Sequence, residues 1–103
     1  MNISRTKVAL GALLAIGALA SVPAHAGATL DKIKKNGQVV CGVNTGLAGF
    51  SQADSSGNWS GLDVDVCKAI AAAVLGDGNK VKWVPLNAQQ RFTALSSGEV
   101  DIL

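Results

Sequence analysis

The sequence predicts an α/β fold built on a parallel sheet, and two observations carry this prediction. Stretches typical of strands and stretches typical of helices alternate from residue 37 onward. A helix or a long connection separates each predicted strand from the next. Parallel strands need such crossovers, whereas antiparallel strands can be joined by short turns. The expected order is strand, loop, helix, strand, helix, strand, with right-handed crossovers.

The three predicted strands are short runs rich in β-branched residues. Residues 37–43 are rich in valine, which is typical of a strand. Residues 80–86 alternate like a strand, but Pro85 removes one backbone donor, so this strand is expected at an edge of the sheet. Residues 99–103 begin a third strand.

Two helices are predicted between these strands. The first lies in the stretch 62–76, where apolar side chains recur with helical spacing. Asp63 is a candidate N-cap, and Gly76 fits the left-handed position after the last helical residue. The second begins at a variant capping box, in which the side chains of Asn87 and Gln90 each reach the other residue's backbone N–H. Its expected end is Gly98, because glycine readily adopts the left-handed conformation that follows a helix.

Residues 1–26 are predicted to be a secretory signal peptide. Two basic residues precede an unbroken apolar run, and small residues flank the expected cleavage position between Ala26 and Gly27. The apolar run is shorter than the roughly 20 residues that a membrane-spanning helix needs. We therefore expect the signal peptide to be removed and residues 27–103 to reside in the periplasm.

Composition narrows the function of residues 27–103. Two of the nine basic residues lie in the signal peptide, so the other seven balance the seven acidic residues. A neutral chain gives no electrostatic reason to bind nucleic acid. The single histidine, His25, also leaves with the signal peptide, and with it any Ser–His or Cys–His pair. We expect no metal, no cofactor, no nucleic-acid partner and no enzymatic activity.

Three glycines follow the β-branched run at the start of the first predicted strand: Gly42, Gly46 and Gly49. A dinucleotide-binding fingerprint would need a helix N-terminus directly after these glycines, because that terminus holds the pyrophosphate. Here the next predicted helix begins only after the stretch 50–61. The glycines instead predict a sharply turning backbone beside a small-molecule site at the carboxyl end of the first strand.

Three stretches together resemble the periplasmic amino-acid-binding proteins of ABC importers, of the general L-amino-acid-binding type. They are GQVVCGVNTGLAGFS, GNWSGLDVDVCKAIAAAVLGD and AQQRFTALSSGEVDIL. The resemblance implies a type II periplasmic-binding-protein fold with two lobes. Residues 27–103 would then form a partial N-terminal lobe with strand order 2-1-3 and flanking helices, truncated in its third strand.

The resemblance also implies a function. We expect periplasmic capture of L-amino acids and their delivery to an ABC permease in the inner membrane, by a protein that is a monomer. The alternative is a periplasmic enzyme on the same fold, such as a dehydratase. The absence of an obvious general base in residues 27–103 favours binding.

Three residues are expected to contact the ligand by this resemblance. Asn44 stands where relatives often have an aspartate that accepts a hydrogen bond from the ligand ammonium, and its amide oxygen could still accept one. Leu47 and Ala88 stand where relatives have aromatic side chains, so the pocket should be roomier and broadly selective. The family's carboxylate-binding arginine belongs after the third strand, and Arg91 is expected to be a solvated helix residue.

A disulfide between Cys41 and Cys67 is predicted from the residues themselves. Both cysteines lie in the exported part, and an oxidising compartment favours pairing of an even number. Cys41 is on the first strand and Cys67 on the first helix, so contact between them is plausible. Two separate buried thiols are the alternative.

Overall fold

The computed structural model describes residues 27–103. The predicted signal peptide, 1–26, lies outside the described residues, and so does Ala26 on one side of the expected cleavage position. Within the described range, no helix combines the length and the apolar character that crossing a membrane requires. The helices are α1 Ala28–Asn36, α2 Leu62–Leu75 and α3 Arg91–Ser97, and the strands are β1 Val39–Asn44, β2 Gln52–Ala53, β3 Trp59–Ser60 and β4 Val81–Leu86.

The sheet is parallel, with β1 in the centre. β1 pairs with β4 in a continuous register from Val39 opposite Val81 to Asn44 opposite Leu86. On its other side, β1 makes a parallel bridge at Ile102, within the predicted third strand. The first, second and third predicted strands correspond to β1, β4 and the segment at Ile102. Their order in the sheet is therefore the predicted 2-1-3. In residues 27–103, β4 pairs only with β1, as expected for an edge strand.

The helices cover the two faces of the sheet unequally. On one side of the sheet, which we call the α2 face, β1 packs with α1 and α2 through Val39, Cys41 and Val43. Val40 points to the opposite side and packs with the small cluster under α3, which we call the α3 face. Successive side chains of any strand point to opposite faces, and both faces of β1 are covered here. The clusters are Cys41, Val43, Val64 and Cys67; Ile33, Val39 and Ala71; and, on the α3 face, Leu86, Ala94 and Val100.

Helix α1 was not predicted from the sequence. Its charges suit a helix, with Asp31 in the first turn and Lys34 and Lys35 in the last turn, where each opposes the helix dipole. It ends at Gly37, which adopts a left-handed conformation with φ 69°. Only Ile33 is fully buried, so no continuous apolar stripe marked the helix in the sequence.

Asp101 joins α1 to the sheet. Its Oδ2 accepts the backbone N–H of Val40 at 2.9 Å, and its Oδ1 lies 2.9 Å from the Lys32 ammonium. Lys32 also donates to the carbonyl of Gly98 at 2.8 Å. The carboxylate is nearly buried, and these bonds satisfy it where desolvation would otherwise be costly.

The predicted N-cap of α2 was wrong. The helix begins at Leu62 with Gly61 at the N-cap, and Asp63 lies within the first turn. At its other end, Gly76 adopts the predicted left-handed conformation, with φ 77°. The connection before α2 also contains the β2–β3 hairpin, which the sequence analysis treated as a loop.

The capping box before α3 is present. The backbone N–H of Gln90 donates to Asn87 Oδ1 at 2.9 Å, and that of Asn87 donates to Gln90 Oε1 at 3.3 Å. The box closes a turn, however, and α3 itself begins one residue after Gln90. Gly98 ends the helix with φ 79°, as predicted.

Candidate functional site

A cavity of about 90 Å³ opens at the carboxyl end of β1, where open α/β sheets bind ligands. All three residues predicted to contact a ligand, Asn44, Leu47 and Ala88, line it. They come from the end of β1, the glycine-rich loop and the start of the α3 region. The remaining lining residues are Gly42, Val43, Asp63, Leu86, Asn87, Arg91 and Leu103.

Gly42 lines the cavity with bare backbone. A Cβ atom at this position would lie 2.7 Å from Leu103 Cδ2 and 3.0 Å from Leu86 Cδ1, closer than packed carbon atoms approach. Both leucines also line the cavity. Glycine here therefore serves close packing in a strand, which is one of the reasons that a strand interior contains glycine.

The loop of residues 44–51 is held by its own hydrogen bonds. Asn44 Oδ1 accepts the backbone N–H of Gly46 at 3.1 Å, which is an Asx-type turn. Ser51 Oγ donates to the Asn44 carbonyl at 3.1 Å. The Asn44 oxygen that we expected to be free for a ligand ammonium thus already has a partner within the loop. Its second lone pair and the Nδ2 donors remain for other contacts.

The loop also caps helix α2. The backbone N–H of Leu62 donates to the carbonyl of Gly49 at 2.9 Å, and that of Asp63 donates to the carbonyl of Phe50 at 3.0 Å. These bonds satisfy N–H groups that a helix start leaves without partners. Gly61 makes the approach possible, since its φ is +123° and a side chain there would overlap the Phe50 backbone. The loop and α2 are therefore one connected unit.

Two charged residues also line the cavity, Asp63 and Arg91, although the sequence did not assign either of them to the site. Arg91 is exposed, as expected for a solvated helix residue, and its guanidinium lies 5.3 Å from the centre of the Phe92 ring. Ala88 precedes Arg91 by three residues, and residues three apart share one side of a helical turn. This spacing from Ala88 was the sequence signal that could have placed Arg91 at the site. The lining of the cavity therefore includes one acidic and one basic residue.

Cys41 and Cys67 form a disulfide, as predicted, with their Cα atoms 6.3 Å apart. Both are buried, and no free cysteine occurs in residues 27–103. The bridge joins β1 to α2 beside the cavity, since Cys41 precedes Gly42 and Cys67 lies one helical turn after Asp63. It fixes the strand and the helix that support the glycine-rich loop.

The turn between β2 and β3 contains a cluster of hydrogen bonds around Asp54. Its carboxylate accepts the backbone N–H groups of Ser56 at 2.8 Å and Asn58 at 2.9 Å. The backbone N–H of Asn58 is the main reason that the pKa of Asp54 lies below its usual value. No group of three or more His, Cys, Asp or Glu residues within 27–103 is placed to hold a metal ion.

Comparison with known proteins identifies the family. The family model for bacterial extracellular solute-binding proteins, family 3, matches residues 39–103. The chain belongs to this family. The match begins at β1 and includes the glycine-rich loop, the disulfide and every residue that lines the cavity.

Individual relatives of this family 3 chain support the assignment. The chain is 57% identical over 99 residues to the putative amino-acid ABC transporter-binding protein YhdW of Escherichia coli O157:H7, covering 94% of this chain and 29% of YhdW. It is 58% identical over 92 residues to the general L-amino acid-binding periplasmic protein AapJ of Rhizobium johnstonii, covering 89% of this chain and 26% of AapJ. The chain thus spans little more than a quarter of these relatives.

A solved structure agrees with the fold. An ABC transporter/periplasmic binding protein from Brucella ovis with glutathione bound is 58% identical to this chain, with a TM-score of 0.70. The similarity covers 74% of this chain and 23% of that protein. The described residues are therefore part of one lobe of a type II periplasmic binding fold.

Proposed function

We propose that this chain is the first part of a periplasmic protein that captures L-amino acids and delivers them to an ABC permease in the inner membrane. One observation carries the proposal: in a family 3 chain, the cavity at the end of β1 is lined by Asn44, Leu47 and Ala88 together with one anionic and one cationic side chain. We propose that the protein acts as a monomer and is not an enzyme.

The charges of the cavity suit the head group that all free amino acids share. An α-amino acid presents an ammonium and a carboxylate, and an acidic residue, Asp63, and a basic residue, Arg91, both line the cavity. Asn44, which also lines the cavity, adds neutral hydrogen-bonding groups. Glutathione, bound in the Brucella ovis structure, carries the same ammonium and carboxylate on its glutamyl end. Head-group recognition would accommodate both.

The apolar side of the cavity supports broad selectivity. Leu47 is 48% exposed at the cavity, and Ala88 presents a single methyl group. No aromatic side chain lines the cavity in the described part of the chain. A ligand side chain would therefore meet a shallow apolar surface rather than a shaped slot, and such surfaces discriminate weakly between similar apolar groups.

The cavity is too small to enclose a ligand by itself. Its volume of about 90 Å³ is below the roughly 300 Å³ at which small-molecule pockets begin. We propose that the remainder of the protein supplies the second wall, including an arginine after the third strand that binds the ligand carboxylate directly, whereas Arg91 adds positive charge to the first wall. Residues 27–103 alone should then bind amino acids at least about 100-fold more weakly than the two-lobed protein, since burial of most of the ligand is lost.

Isothermal titration tests this proposal. The two-lobed protein that carries residues 27–103, and the isolated segment, are titrated with L-amino acids, their D-enantiomers and glutathione. Leu47→Asp, which places a charge on the apolar lining of the cavity, should weaken binding more than tenfold, whereas Ala53→Asp on the exposed β2 strand should not. Absence of L-amino-acid binding by the two-lobed protein would overturn the transport function.

Mass analysis of the recovered ligand separates binding from catalysis. An L-amino acid recovered unchanged after long incubation supports a binding protein. Conversion of a ligand to a product that has lost water would instead support the dehydratase alternative. Light scattering on the same sample tests the monomer, and a dimer at micromolar concentration would contradict it.

A further inference from the structure

Ser51 is a buried polar residue to which the fold assigns no obvious packing role. Only two polar or charged side chains are buried within residues 27–103, and Ser51 is fully buried, at 0% exposure. Burying a hydroxyl is unfavourable unless it forms a hydrogen bond. A small apolar residue would fill this space without that cost. The contacts of the hydroxyl therefore explain why a serine occupies the position.

Those contacts connect Ser51 to two of the three predicted ligand contacts. Its Oγ donates to the carbonyl of Asn44 at 3.1 Å. Its backbone exchanges two hydrogen bonds with Leu47: the Leu47 N–H donates to the Ser51 carbonyl at 2.8 Å, and the Ser51 N–H donates to the Leu47 carbonyl at 2.9 Å. Ser51 itself does not line the cavity, whereas Asn44 and Leu47 both do.

We propose that Ser51 is a positioning residue for amino-acid binding. Its hydroxyl closes the loop of residues 44–51 onto the end of β1, and this closure holds Asn44 and Leu47 at the cavity before a ligand arrives. Ser51 acts through these two residues and touches no ligand. The inference rests on the proposed function, because it assumes that the cavity binds an amino acid.

Other bonds would keep the fold when the hydroxyl is removed. The Leu47–Ser51 backbone pair needs no side chain, and the carbonyls of Gly49 and Phe50 still cap α2. What is lost is the one side-chain bond from the returning loop to Asn44, whose carbonyl is left without that partner. The loop then populates conformations that do not bind, and the apparent Kd rises by the inverse of the competent fraction.

The test uses three variants of the two-lobed protein. Ser51→Ala removes the hydroxyl, and Ser51→Thr retains it. Ser60→Ala is the matched control, because the Ser60 hydroxyl also reaches a backbone carbonyl, that of Gln52 at 3.5 Å, but lies in the β2–β3 hairpin away from the cavity. L-amino-acid binding is measured by titration, and amide hydrogen exchange of Leu47 and Ser51 is measured without ligand.

The expected result is a 5- to 20-fold weaker affinity for Ser51→Ala, roughly what loss of one buried hydrogen bond produces. Faster exchange at Leu47 and Ser51 should accompany it, while unfolding of the variant remains cooperative. Ser51→Thr keeps the donor and should bind more tightly than Ser51→Ala, and its remaining loss reflects the extra methyl group in a fully buried position. Exchange of the central β1 amides should be unchanged.

Three outcomes overturn the inference: Ser51→Ala binds within twofold of the wild type, it weakens binding no more than Ser60→Ala, or it fails to fold and so marks Ser51 as a residue of the fold alone. Failure of the proposed function gives a different result. In that case the wild type and all variants bind no amino acid, while the exchange rate of Leu47 still reports whether the hydroxyl holds the loop.

Discussion

The two faces of the sheet differ in how firmly they are covered. On the α2 face, Val39, Cys41 and Val64 are completely buried, and the disulfide ties the strand to the helix. On the α3 face the cluster is smaller, and two large apolar residues of α3 remain exposed: Phe92 at 68% and Leu95 at 41%. The same strand, β1, thus has a rigid covering on one side and a thin one on the other.

This difference places the cavity at the boundary between firm and thin packing. Gly42 and Leu86 belong to the α3 face, whereas the loop that carries Leu47 is capped onto α2. Binding groups work best when rigid elements hold them in the productive geometry. The α2 face provides that support, and the α3 face provides the open space.

Removing the disulfide should have the largest effect on stability. The bridge closes a loop with a sequence separation of 26. In the chain-entropy model a loop of this length stabilises the folded state by roughly 3–4 kcal/mol. Urea unfolding of the Cys41→Ala/Cys67→Ala double variant should show this loss. Reduced wild type, which keeps both sulfur atoms, is the control, and equal stability of oxidised and reduced protein would contradict the prediction.

A matched pair of truncations compares the faces directly. Val64→Ala removes two fully buried methyl groups on the α2 face and should cost about 2 kcal/mol. Phe92→Ala on the α3 face should change stability by less than about 0.5 kcal/mol, because the ring is mostly exposed. Thermal and urea unfolding measure both. Similar losses would show that α3 is covered as firmly as α2.

The contacts that attach α1 to the sheet should contribute less to stability than the buried side chain of Val64. Lys32→Met removes the ion pair with Asp101 and the bond to the Gly98 carbonyl, but the lysine side chain is 41% exposed. The expected loss is about 1–2 kcal/mol, because the exposed lysine contributes little itself but the Asp101 carboxylate, 2% exposed, loses a partner. Lys68→Met, at an exposed lysine on α2, is the control. A loss of several kcal/mol confined to Lys32→Met would mean that α1 is essential to the fold.

The smallest effect belongs to a turn outside both faces. Hydrogen bonds from Asn58 and its neighbours lower the pKa of the Asp54 carboxyl below 3.8. Its stabilising contribution is therefore complete above pH 3.8 and is lost as the pH falls through the lower, folded-state pKa. An NMR titration should give a midpoint below 3.8 for Asp54. A higher midpoint would show that the turn does not hold the carboxylate.

Local signals made much of the fold predictable. The strand and helix patterns, the glycines after α2 and α3, and the Asn87–Gln90 box depend on residues near one another in the sequence. The strand order 2-1-3 followed from the family resemblance. Helix α1 escaped prediction because its burial depends on a single side chain, Ile33, that packs against distant elements.

The position of the site in the fold was predictable from the sequence, but the hydrogen bonds of its residues were not. Asn44, Leu47 and Ala88 meet at one cavity, as expected, and their roles as ligand contacts remain predictions. Asp63 was misread as an N-cap because the real caps are loop carbonyls, which no side-chain pattern reveals. The use of the Asn44 oxygen inside the loop likewise depends on turn geometry that forms only in the folded chain.

The floor of the cavity keeps its shape because the side chain of Gly42 is a single hydrogen atom. Even one methyl group there would press against Leu103 at 2.7 Å and Leu86 at 3.0 Å, and would have to displace them or occupy the cavity itself. Under the proposed function, the space left for a ligand is therefore set in part by the backbone at Gly42, at a position separate from Asp63 and Arg91. Changes in size preference and in head-group chemistry can then arise at separate positions of the same chain.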